Sequence, residues 1–168
     1  IRDNAMNFGE RNDTVSYAHV DPDSASSFSS SSGLAIIFIE EFSLDQPIDI
    51  FMTEVALNVT AERITPDIYQ LTPSVHFAPK EISLNKPGKI HFEVGNYLSS
   101  GVDETQCVIM EIKDEGPLPL ITYFKDGIVS SNIYELGSFA VYVNSNIVKP
   151  LPITFKLKTN YPNPFNPT

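Results

Sequence analysis

The 168-residue chain carries 21 acidic against 11 basic side chains, a formal charge of −10, and so lacks the phosphate-neutralising surface that nucleic-acid binding requires. Hydrophobic residues make up 42% and charged residues 19%, too apolar for wholesale disorder and enough for one core burying roughly 70% of the unfolded surface. The longest apolar run, Leu34 to Ile39, is far shorter than the roughly 20 residues that span a bilayer as a helix, so no membrane insertion is expected.

Ile1 to Glu10 is polar and has no basic start, as an internal or mature fragment would be. Val15, Tyr17 and His19 or Val20 supply one strand, which Asp21-Pro22-Asp23 ends through turn chemistry. The seven serines between Ser24 and Ser32, followed by Gly33, predict a mobile loop over Ser24 to Gly33. Residues 1–33 are thus read as an N-terminal strand and loop belonging to the module.

Residues 34–158 read as the sandwich core. Leu34 to Phe38 is a continuous apolar run, too short for a typical helix, and predicts a strand buried on both faces. Ile48, Ile50 and Met52, then Val55, Leu57 and Val59, alternate with more polar neighbours and give strands with one wet and one dry face. Helical propensity rises over Glu54 to Ile64, but the alternation of Val55, Leu57 and Val59 there favours a strand. Further strands are predicted at Val75 to Phe77, Ile82 to Leu84, Ile90 to Val94, Val108 to Ile112, Leu120 to Phe124, Ile128 to Tyr134, Phe139 to Val143 and Ile153 to Leu157. Lys86-Pro87-Gly88 marks a turn or bulge, and Lys125-Asp126-Gly127 a hairpin whose Asp-Gly pair supplies positive φ angles. Thirteen prolines and many short strands predict an all-β fold. The expected architecture is an antiparallel β-sandwich of about ten strands, immunoglobulin-like or related, with a closed barrel as the alternative.

Residues 159–168 form a proline-rich linker. Its wording, Asn160-Tyr161-Pro162-Asn163-Pro164-Phe165-Asn166-Pro167-Thr168, resembles the opening of the C-terminal sorting domain of type IX secretion cargo, exported across the outer membrane of Bacteroidetes-like bacteria. That resemblance implies a secreted or cell-surface protein and a partner, the type IX secretion machinery, engaged through the adjoining sorting domain. A second resemblance covers Ser74 to Val143. Val75-His76-Phe77-Ala78-Pro79 with Ile82 to Ile90, then Ile121 to Gly127 and Gly137 to Val143, are similar to segments of the ankyrin and netrin-receptor spectrin-binding type of β-sandwich. Lys80-Glu81 stands where that family has a glycine after its first proline, so the likeness implies fold only and spectrin binding is not carried over.

His19, His76 and His91 are the only histidines and show no short metal-ligand spacing. His91 alternates with Ile90 and Phe92, which places it on a wet face. The adjacent acids Glu40 and Glu41, Asp103 and Glu104, and Asp114 and Glu115 read as solvated turn charge rather than a glycosidase pair. Asp21-Pro22-Asp23 has oxygen ligands for calcium, but Ser32 stands where a helix-loop-helix site needs its bidentate glutamate. Cys107, the one cysteine, reads as buried packing beside Val108 and Ile109. No tryptophan offers a sugar platform, which leaves Tyr17, Tyr69, Tyr97, Tyr123 and Tyr134, most of them expected in the core or at edges. No catalytic, metal or cofactor residues are assigned. The sequence is read as a non-catalytic structural or adhesion module, the alternative being an accessory domain that binds carbohydrate or another ligand. Extracellular glycan and neighbouring modules are the candidate partners.

Overall fold

Alternating apolar residues and short proline-bounded segments fold here into strands that pair antiparallel throughout, in a computed structural model that describes residues 15–57, 63–65, 67–98 and 102–144. In chain order the strands begin with β1 (Val15–Val20), β2 (Ser26–Ser29), β3 (Ala35–Ile39), β4 (Ile48–Val55), β5 (Arg63–Thr65), β6 (Ile68–Gln70) and β7 (Ser74–Ala78). They continue with β8 (Ile82–Glu93), β9 (Cys107–Lys113), β10 (Gly116–Pro119), β11 (Thr122–Lys125), β12 (Ile128–Leu136) and β13 (Ser138–Asn144). One turn of 3-10 helix, Glu104–Gln106, precedes β9 and is capped by Asp103, whose carboxylate accepts from the amide of Thr105.

Two sheets pack face to face. The smaller has the order β11-β12-β8-β3-β2. In the larger, β1, β4 and β7 lead to β13, which pairs β9 along one edge, while β7 and β6 divide its other edge; β10 and β5 lie beyond β9 and β6. The core between the sheets is drawn from alternate residues of both. Ile37, Ile90, Phe92, Val129 and Ile133 come from the smaller sheet, and Ile50, Met52, Val75, Phe77, Ile109, Phe139 and Val141 from the larger. Phe77 is the keystone of this layer: its ring meets Phe139 at 6.1 Å and, across the sheets, Phe28 at 6.5 Å, both edge-on.

The predicted sandwich is observed, and several local expectations change. Ser24 to Gly33 is not simply a loop, because β2 lies within it. Phe28 turns inward onto the core while the serines find partners: Ala35 N–H donates to Ser30 Oγ at 2.9 Å, and the Ser32 amide and hydroxyl both donate to Glu54. The run from Leu34 is not buried on both faces either. Ala35, Ile37 and Ile39 point inward, but Ile36 and Phe38 are 36% and 37% exposed on the outer side. Ile82 to Leu84 and Ile90 to Val94 belong to one long strand, β8, and Lys86-Pro87-Gly88 is a bulge inside it. Gly88 sits opposite Ile133 and Ser83 opposite Glu135, so β8 advances five residues while β12 advances two. The bulge leaves little room for a side chain at Gly88, where a Cβ would lie 3.0 Å from Leu84 Cδ1 and 3.2 Å from the Phe38 carbonyl oxygen.

Ile48 to Val55 is continuous as β4, and the Asp126-Gly127 hairpin forms as expected, with φ of 53° and 79°. The short strands β5, β6 and β10 were not foreseen. β10 carries Pro117 and Pro119 at the border of its sheet, where proline's missing donor is tolerated. Val59, the strand expected at Ile153 to Leu157 and the whole of Asn160 to Thr168 lie outside the described residues.

Candidate functional site

Histidine, serine and carboxylate are the groups from which hydrolytic chemistry would be built, and the fold sets His76 between serines and His19 against a carboxylate. His76 lies on the outer face of the larger sheet, where the period of two puts Ser74 on the same side of β7 and the β7–β13 register brings Ser138 opposite. Both ring nitrogens are held: Nε2 lies 2.8 Å from Ser74 Oγ and Nδ1 2.8 Å from Ser138 Oγ. Both serines are buried. A nucleophile–base pair commonly has a carboxylate orienting the second nitrogen; a serine occupies that place, and through Ser138 the arrangement forms a clasp between β7 and β13. Burial, with the charge of Lys80 added, holds the His76 pKa below its ordinary value.

His19 is used differently. Its Nδ1 lies 2.7 Å from Asp49 Oδ1, to which the Tyr17 hydroxyl also donates at 3.0 Å, all on the exposed rim of β1 and β4. These two hydrogen bonds, His19 first, lower the Asp49 pKa.

The adjacent acids do not form facing pairs. Asp103 caps the 3-10 turn and Glu104 accepts the Gly127 amide at 3.1 Å, while Asp114 and Glu115 form the exposed β9–β10 turn. Asp21 closes its own turn by accepting from the Asp23 amide at 2.9 Å. Among the described residues, no three of His, Cys, Asp and Glu converge as a metal site. Cys107 is fully buried, and burial beside Glu104 and Asp103 pushes its thiol up to about 11, so the nucleophilic thiolate is scarce at neutral pH.

Among the described residues, two recesses carry exposed aromatic side chains. One lies on the outer face of the smaller sheet, an open groove of about 600 Å³ lined by Phe38, Glu40, Lys86, Pro87, Lys89, His91 and Asn132. Cross-strand register builds it: Phe38 stands opposite Lys89, which stands opposite Asn132, and His91 follows two residues on. The Phe38 and His91 rings lie 4.8 Å apart at 55°, so His91 is half-buried by its neighbour rather than fully wet. That burial, with Lys89 alongside, lowers its pKa. The Pro87 bulge forms one wall, and Lys86 is fixed there by donating to the Glu41 carbonyl at 2.8 Å. The groove therefore offers two tilted, partly exposed rings beside amide, ammonium and carboxylate groups.

The other recess, about 380 Å³, opens between the sheets beside β12 and is lined by Leu120, Ile133 and Phe139 within and by Tyr123, Tyr134 and Ile121 at its mouth. Of the five tyrosines named from sequence, Tyr69 and Tyr97 pack against the core, and Tyr17, Tyr123 and Tyr134 are exposed. Sequence reasoning missed the groove and the clasp. Ser74 two residues before His76 was a legible signal, but Ser138 and the row Phe38, Lys89, Asn132 require the register. The sorting motif lies outside the described residues.

No family model and no curated protein matches this chain.

Because the native state favours neutral His76, its contribution to stability is present above the unfolded pKa of about 6.5 and is lost as pH falls through the lower folded value. Urea unfolding of the wild type and His76→Gln should differ most near pH 7.5, and the gap should narrow below about pH 6.5. A gap that stays constant or widens on acidification would contradict the clasp.

Proposed function

We propose that this chain is a non-catalytic structural or adhesion module of a secreted or cell-surface bacterial protein exported by type IX secretion. The observation that carries the route is the nine-residue run Asn160-Tyr161-Pro162-Asn163-Pro164-Phe165-Asn166-Pro167-Thr168, which resembles the head of that system's sorting domain. Three prolines in six residues bias the run toward extended backbone, suited to a spacer between a folded module and a recognised signal. The sandwich supplies rigid spacing and display. His76 joins β7 to β13 through Ser138 and is held from its own strand by Ser74, which supports the non-catalytic reading.

The natural full-length gene product, followed in a type IX-competent strain and in the same strain without the outer-membrane translocon, should reach the medium or cell surface only in the first. Equal surface delivery in both strains would overturn the route.

A second reading, an accessory domain that binds carbohydrate, is favoured by the groove in which the tilted rings of Phe38 and His91 meet beside Lys89 and Asn132. Sugar rings present apolar faces to aromatic side chains and hydroxyls to amides and charges, and both are within one row of this sheet. On a glycan array, with and without calcium, this reading predicts saturable binding to one sugar class, weakened at least about tenfold (~1.4 kcal/mol) by Phe38→Ala and by Asn132→Ala. Absence of binding, or binding indifferent to both substitutions, would leave the spacer reading in place.

A further inference from the structure

We propose that the recess between the two sheets receives an extended basic peptide from a partner protein, added as a strand to the part of the β12 edge that no described strand pairs. This goes beyond the display reading and concerns a different surface from the outer groove.

The recess exists because β11 is shorter than the strand it borders. β11 pairs Ile128 to Ser131 of β12 and stops, while β12 continues to Leu136. At that point the chain leaves for the other sheet. Leu120 N–H donates to the Ile109 carbonyl at 2.9 Å, Ile109 N–H donates to Thr122 Oγ1 at 2.9 Å, and Ser131 Oγ donates to the Ile121 carbonyl at 2.9 Å. These bonds pin the crossing to β9 and β12, and the recess lies beside it. Among the described residues, no strand pairs with residues 132–136 of β12 on the β11 side.

An unpaired strand edge is a template for another strand, and strand addition combines main-chain hydrogen bonds with pockets for alternate side chains. Both are at hand. The interior of the recess is apolar, with Phe139 and Ile133 almost wholly buried, and about 380 Å³ accepts one or two large side chains. Ile121, Tyr134 and Tyr123, which rim it, are 77%, 66% and 59% exposed, an apolar lip with no described cover.

Charge selects among occupants. Lys113, in the wall, is already held by Glu111 at 3.0 Å and Glu135 at 3.3 Å. The adjoining surface shares these three residues and adds Glu81, Asp114, Glu115 and Lys80, so five carboxylates face two ammonium groups. A strand with apolar side chains on one side and lysine or arginine on the other satisfies recess and rim together. A second copy of this chain, itself at −10, meets like charge.

The test uses the 168-residue chain labelled with ¹⁵N and two capped synthetic peptides, Lys-Val-Lys-Phe-Lys-Val-Lys and its counterpart with glutamate for every lysine. The lysine peptide should give saturable shifts at the amides of Ile121, Tyr123 and residues 132–135, weakening as salt is raised; the glutamate peptide should give none. Ile121→Asp should weaken binding at least tenfold with an unchanged thermal melt, and Glu135→Gln should weaken it less. Shifts confined to the outer groove around Phe38 and His91, equal binding of both peptides, or no shifts at millimolar peptide would overturn the proposal. So would concentration-dependent shifts of those amides in the chain alone, which would make a second copy the occupant.

Discussion

Strand β13 is buried along both of its faces, and the rest of the sandwich is arranged around that constraint. A strand at the surface of a two-layer fold ordinarily keeps one side wet. Here every residue from Ser138 to Val143 is buried. Phe139, Val141 and Val143 enter the core between the sheets, while Ala140 and Tyr142 pack on the outer side with Met110, Val108, Ile112 and Ile68. Each fully buried large side chain contributes on the order of 1.5–3 kcal/mol, so a strand doubly lined in this way is the natural anchor for its neighbours. Its two edges hold β9, β7 and β6, and through β7 it reaches β4 and β1. The His76 clasp depends on the same strand, since Ser138 is its first residue.

Much of this was legible in the sequence because inner-face alternation survives in the residues themselves. Ile48, Ile50 and Met52, or Val75 and Phe77, need no tertiary knowledge to be read as strands. The Asp126-Gly127 turn is equally local, since its positive φ angles follow from the residue types. What stayed hidden depends on contacts between distant segments. β2 is composed largely of serine, and its pairing with β3, with Phe28 meeting Phe77, makes it a strand rather than a loop. Leu34 to Phe38 looked doubly buried because Ile36 and Phe38 are apolar, although their side of the sheet faces a groove. β8 looked like two strands because Lys86-Pro87-Gly88 carries turn residues, which the bulge uses in place of a turn. The outer groove was illegible for the same reason: Phe38, Lys89 and Asn132 are far apart in sequence and meet only by register.

The two recesses share an origin in interruptions of regular pairing. The β8 bulge raises Pro87 as a wall for the outer groove, and the crossing from β10 to β11 opens the mouth between the sheets. Polar groups elsewhere are largely spent on holding strands together: His76 between two serines, Asp49 under His19 and Tyr17, Thr122 beneath the crossing. Both recesses thereby lie where the ladders break.

The dependence of the fold on β13 is tested most directly by native-state hydrogen exchange of the backbone amides. Residues 140–143 should exchange only through global unfolding, with a protection free energy equal to that from urea denaturation, while the amides of β10 and β11 exchange through smaller openings. Exchange of residues 140–143 as fast as that of β11 would contradict the account.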